Sequence, residues 1–130
     1  LERHGERLAI VGIEDPLMGK SVPFMLDIAL EQVADEDLSV LLSHRPEEFD
    51  VYVKQEMDIV FTGHAHGGQI RLPFIGGLVA PGQGLLPQYT AGTFEQDETF
   101  MVVSRGLGNS VFPFRIFNRP ELIVMELQSK

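Results

Sequence analysis

The sequence has no cysteine among its 130 residues. A disulfide framework, a thiolate metal site and a thiol nucleophile are therefore excluded. It also lacks any apolar run of the roughly 18–20 residues that a membrane-spanning helix needs. Basic charge is scarce: 10 Lys and Arg stand against 19 Asp and Glu, a net charge of −9. The excess acid lies in residues 1–58, which hold fourteen acidic and five basic side chains, whereas residues 59–130 hold five of each. A non-specific nucleic-acid binder needs a basic stripe to displace counterions. None is visible, and nucleic acid is not expected as a partner. A small anionic substrate stays compatible, because a metal or local donors can supply positive charge that a residue count omits. The chain opens on Leu1-Glu2, without an initiator Met or the basic and apolar regions of a signal peptide. The expectation is a piece of a longer protein, cytoplasmic or peripheral to the membrane.

What is present is globular in character. With 44 % hydrophobic and 22 % charged residues, residues 1–130 read as one domain with a core of its own. Residues 7–13 form a short apolar run closed by Glu14-Asp15-Pro16, the pattern of a buried strand entering a turn. A helix follows, with Ser21 as its cap and Pro23 in its first turn. Val22, Met25, Leu26, Ala29, Leu30 and Val33 recur at helical spacing. Phe24 and Ile28 fall off that stripe, so more than one face of the helix is expected to be covered. Residues 35–37 make an acidic link. Residues 38–43 read as a second buried strand ending at His44, and Pro46 opens a helix with Phe49, Tyr52, Val53 and Met57 on its apolar face. Residues 58–62 read as a third strand. This strand–helix alternation is that of a layered α/β sheet. From residue 69 the texture changes. Residues 69–72 look like a strand, and residues 73–93 are rich in Gly and Pro, a stretch expected to be functional or packed on itself. Strand-like runs at 99–104, 111–117 and 122–127 predict antiparallel strands added to the α/β half.

The histidines are the candidate chemistry. His44 closes one strand, and His64 and His66 follow the end of the next. Ligands of an α/β sheet gather outside the carboxyl ends of its strands, so parallel pairing of those two strands would bring the imidazoles together. Gly63, Gly67 and Gly68 permit the left-handed turn that presenting both rings of a His-x-His requires. Imidazole nitrogen suits Zn, Mn, Fe, Co and Ni. Taken singly, each histidine is explained as well by a turn or a hydrogen bond. The three together with the glycines favour metal binding. His4 sits in a polar terminus and is given no role. Ser43 lies beside His44, but no nucleophile elbow surrounds it. Arg45, Arg71 and Arg105 can each meet an anion or simply face solvent, and Arg45, next to a candidate ligand, is the one assigned to substrate.

Ser43-His44-Arg45-Pro46, followed by Gly63-His64-Ala65-His66-Gly67-Gly68-Gln69, resembles the carboxyl-terminal motifs of the calcineurin-like metallophosphoesterases. Ile70-Arg71-Leu72-Pro73-Phe74, Ser104-Arg105-Gly106-Leu107-Gly108 and Asn118-Arg119-Pro120-Glu121 resemble the bacterial branch of small predicted phosphohydrolases. The resemblance implies a layered α/β sandwich, here its carboxyl-terminal half, with a mixed sheet, helices on one face and antiparallel strands at the C-terminus. It implies two divalent metal ions (Mn, Fe or Zn), with His44 and His64 on one and His66 on the other, and a metal-activated water that attacks a phosphate mono- or diester. The family's Asp-x-His, Gly-Asp and Gly-Asn-His motifs are absent. With them are missing a bridging carboxylate, an asparagine ligand and the general acid. The chain is therefore expected to need an amino-terminal half, to be inactive alone, to hold at most one metal and to self-associate through uncovered apolar surface. Two rivals are a non-catalytic metal-binding or interaction domain, and a mononuclear zinc hydrolase with Glu14 or Asp15 as base.

Overall fold

The computed structural model describes residues 1–3, 5–34, 37–110 and 113–128. His4, two residues of the acidic link (35 and 36), and the first two residues of the strand expected at 111–117 lie outside the described residues. The main sheet contains β1 (Glu2–Arg3), β2 (Glu6–Gly12), β3 (Leu38–Leu42), β4 (Ile59–Thr62), β9 (Gly92–Gln96) and β10 (Thr99–Val103), in the order β1-β2-β3-β4-β10-β9. The four inner strands run parallel, and β1 and β9 pair antiparallel at the two edges. The mixed sheet, closed at one edge by the antiparallel β9–β10 hairpin, agrees with the expected α/β class, but the run at 99–104, expected as an antiparallel addition, is instead the inner strand β10, parallel to β4.

Helices α1 (Val22–Leu30) and α2 (Phe49–Lys54) cross between the parallel strands. In α1, Pro23 is tolerated in the first turn, where its missing N–H has no helical acceptor. Ser21 occupies the cap position without a side-chain cap bond. Pro46 opens a 3-10 turn over Pro46–Glu48 that leads into α2. Val22, Met25 and Leu26 of α1 and Phe49 and Tyr52 of α2 form one cluster with Val11, Leu41, Val60, Met101 and Val103 of the sheet. The strand register puts Val11, Leu41, Val60 and Met101 side by side on a single face. Both helices thus cover that face.

Ile10, Val40, Ile59 and Phe100 form the corresponding row on the opposite face. There Ile10 is 54 % exposed, Leu42 48 % and Phe100 43 %, so this side of the sheet carries uncovered apolar surface. Phe24 and Ile28 are also more than half exposed, so only the main stripe of α1 is covered. Residues 122–127 do not form the expected strand and have no regular structure. Leu122 and Val124 are 81 % and 86 % exposed. Alternation alone does not make a strand, which exists through a hydrogen-bonded neighbour. Of residues 113–117, only Ile116 makes a bridge, to Ile70. Residues 73–93 fold back on themselves. There β5 (Arg71–Leu72) pairs with β6 (Gly76–Gly77), and β7 (Val79–Ala80) with β8 (Gly84–Leu85). Among the described residues no helix is long and apolar enough to cross a membrane.

Candidate metal centre

Three adjacent parallel strands end on the same side of the sheet, and each delivers one polar side chain just beyond its end. β2 leads to Asp15, β3 to His44 and β4 to His64. His44 Nε2 and His64 Nδ1 are 2.8 Å apart. Asp15 Oδ2 lies 3.7 Å from His44 Nε2. Ligand atoms from all three residues fall within 4.8 Å of one another. The convergence expected for His44 and His64 is present because β3 and β4 are parallel neighbours. His66 stands outside this group, and its Nδ1 is buried without a partner.

The His64–Gln69 turn has an unusual backbone. His64 (φ 57), His66 (φ 46), Gly67 (φ 68), Gly68 (φ 78) and Gln69 (φ 57) all occupy positive φ. For the non-glycine residues such conformations cost on the order of 1–3 kcal/mol each, so the surroundings must hold them. Asn118, 2 % exposed, does so from 52 residues away: its Nδ2 donates to the carbonyls of His66 (2.6 Å) and Gln69 (3.2 Å). Arg71 donates to the Gly67 carbonyl at 2.9 Å and to Thr90 Oγ1 at 3.2 Å. Gly67 and Gly68 are required for space as well as for φ, since a Cβ would collide with Asn118 Oδ1 at the first and with Gly77 Cα at the second. The Gly-Pro-rich stretch therefore packs against the histidine turn.

Tyr52 holds the other side. Fully buried in α2, its hydroxyl donates to the Arg45 carbonyl (2.6 Å) and pairs with Ser43 Oγ (2.7 Å), fixing the residues on either side of His44. Arg45 places its guanidinium on Asp15 (Nη2 to Oδ1, 2.9 Å) and on Glu47 (Nη1 to Oε1, 3.2 Å). The Arg45 hydrogen bond holds the Asp15 carboxyl below its ordinary value, and Asp15 in turn raises Arg45. Burial pushes His64 downward, with the charges of Arg45 and His44 adding to it, so the ring favours the neutral form that coordinates metal. Burial likewise raises Tyr52.

The donor set fits a divalent cation. Two imidazoles and a carboxylate converge, and His64 Nε2 and His66 Nδ1 are buried ring nitrogens with no hydrogen-bond partner. The motif pattern singled out His44, His64 and His66, of which the structure brings the first two together. Asp15 was visible as a turn residue and as the base of the rival zinc hydrolase, but not as a neighbour of His44 and His64, because nothing local in the sequence says that β2 lies beside β3. Tyr52 carried no signal beyond an apolar helix position, and Asn118 none beyond its place in the Asn118-Arg119-Pro120-Glu121 resemblance.

Relatives agree with this chemistry. The chain is 32 % identical to the uncharacterized metallophosphoesterase YkuE of Bacillus subtilis over 125 residues, 96 % of this chain and 42 % of that protein. It is 34 % identical to the phosphodiesterase YaeI of Escherichia coli over 88 residues, 68 % of this chain and 32 % of the other. A UDP-2,3-diacylglucosamine pyrophosphatase, LpxG of Chlamydia muridarum, is 35 % identical over 92 residues, 66 % of this chain and 28 % of its own length. No family model and no solved structure matches the chain significantly. The chain spans less than half the length of these curated relatives. It is homologous to the calcineurin-like metallophosphoesterases.

Proposed function

We propose that the chain is the carboxyl-terminal part of a metal-dependent phosphoesterase that hydrolyses phosphate mono- or diesters. The observation that carries this reading is the convergence of His44 Nε2 and His64 Nδ1 at the carboxyl ends of adjacent parallel strands, 2.8 Å apart. In this reading His44 and His64 hold one of two divalent cations (Mn, Fe or Zn) and His66 reaches toward the second. Such cations polarise a phosphoryl oxygen and lower the pKa of water. The chain's own residues position. Tyr52 fixes the backbone that carries His44, and Asn118 with Arg71 holds the strained turn that carries His64 and His66. Arg45 is the substrate-side arginine of this proposal, and to reach a phosphate it must release Glu47 or Asp15.

Three imidazoles are neutral ligands, so two divalent cations need carboxylates from elsewhere. The proposal puts these, together with the general acid, in an amino-terminal half of the parent protein that packs on the uncovered sheet face. The test compares hydrolysis of bis-p-nitrophenyl phosphate with Mn2+ by the 130-residue chain and by the parent-length protein. Turnover is expected from the parent alone, is abolished by chelation, and falls by at least about tenfold in His64→Ala. Chelator-sensitive turnover by the isolated chain would overturn the divided site. A parent without turnover would support a non-catalytic domain instead.

A further inference from the structure

We propose that Asp15 is a third protein ligand of the cation held by His44 and His64, oriented by Arg45; this rests on the reading of those histidines as ligands. The expected amino-acid pattern did not assign Asp15 to metal, and the fold does what the pattern could not. β2, β3 and β4 are consecutive in the sheet and parallel, so the residues just past their ends share one crevice.

Within the Asp15 carboxylate the two oxygens have different surroundings. Oδ1 accepts from the Leu17 N–H and from Arg45 Nη2, both at 2.9 Å, and shares the Arg45 Nε (3.3 Å) with Oδ2. Oδ2 accepts the Arg45 Nε at 3.2 Å and is the oxygen that faces His44 Nε2. A carboxylate offers about four lone-pair sites, so Oδ2 keeps capacity on the side of the imidazoles. The arrangement is that of a ligating carboxylate held by an outer partner. Arg45 is itself fixed, by Glu47 through its fork and by Tyr52 through its carbonyl. The carboxylate also supplies negative charge that the two imidazoles lack, which favours a divalent cation at this point.

The experiment titrates the chain with Co2+, following the visible bands and measuring bound metal by equilibrium dialysis. About one Co2+ per chain is expected, and His44→Ala and His64→Ala lose it. Asp15→Asn is expected to weaken binding more than about tenfold and to alter the Co2+ bands, whereas Glu14→Gln changes neither. Thermal melts without metal separate lost ligation from lost fold. Should Asp15→Asn not fold, Arg45→Gln replaces it: weakening of about 10–100-fold supports the assignment and unchanged binding overturns it. If Asp15→Asn folds and binds Co2+ as tightly, with the same spectrum, while the histidine variants lose it, Asp15 is no ligand and the histidine pair stands. If the unaltered chain binds no Co2+, or His64→Ala binds as well, the histidine reading falls and the Asp15 assignment with it.

Discussion

Gly67 and Gly84 both sit at positive φ, 68° and 76°, but in opposite surroundings. A Cβ at Gly84 meets nothing within 4 Å, whereas one at Gly67 collides with Asn118 and crowds Arg105. Gly84→Ala should therefore cost only the left-handed backbone penalty, about 1–2 kcal/mol. Gly67→Ala should add to that the loss of the Asn118 clamp, whose hydrogen bonds are worth about 1 kcal/mol each. Urea midpoints at equal slope read the difference directly. Similar losses for the two variants would mean that Asn118 does not hold the histidine turn. That coupling was illegible in the sequence, because Asn118 and Gly67 are far apart along the chain and meet only through the crossing of residues 116–118 beside the turn.

At the scale of elements, α1 shows what periodicity can and cannot decide. Its stripe of Val22, Met25 and Leu26 faces the sheet, as the spacing predicts. Leu26 is fully buried and Ile28 is 53 % exposed. Leu26→Ala should destabilise by about 2–5 kcal/mol, and Ile28→Ser should stay within about 0.5 kcal/mol, as measured by thermal or urea unfolding. A large cost for Ile28→Ser would mean that the face is covered in solution. Residues 122–127 illustrate the reverse case. Their apolar alternation reads as a strand, yet a strand needs a partner edge, and Glu121 is instead held at the end of β10 by the Gly106 carbonyl and by Arg105.

For the whole molecule, the two faces of the sheet are unequal. One is closed by both helices, while the other leaves Ile10, Leu38, Leu42 and Phe100 in contact with solvent. Val40 and Ile59 between them are buried, and the exposed apolar side chains around that pair favour association. Sedimentation velocity on the isolated chain should show a concentration-dependent dimer or larger species. The double variant Ile10→Lys, Leu42→Lys should shift it to monomer. A chain that stays monomeric throughout the concentration range would overturn the expected self-association.

The sequence by itself determined the α/β alternation, both helices, the strand segments of the α/β half and the histidines at strand ends. Those features are written in local periodicity, in turn chemistry and in short spacings. Only the tertiary structure decided which strands are neighbours, and with that the meeting of Asp15 with His44 and His64. It also decided which residues hold a backbone at positive φ, and that residues 122–127 are no strand. Each of these depends on contacts between segments remote in sequence, and no local pattern carries the identity of a distant partner.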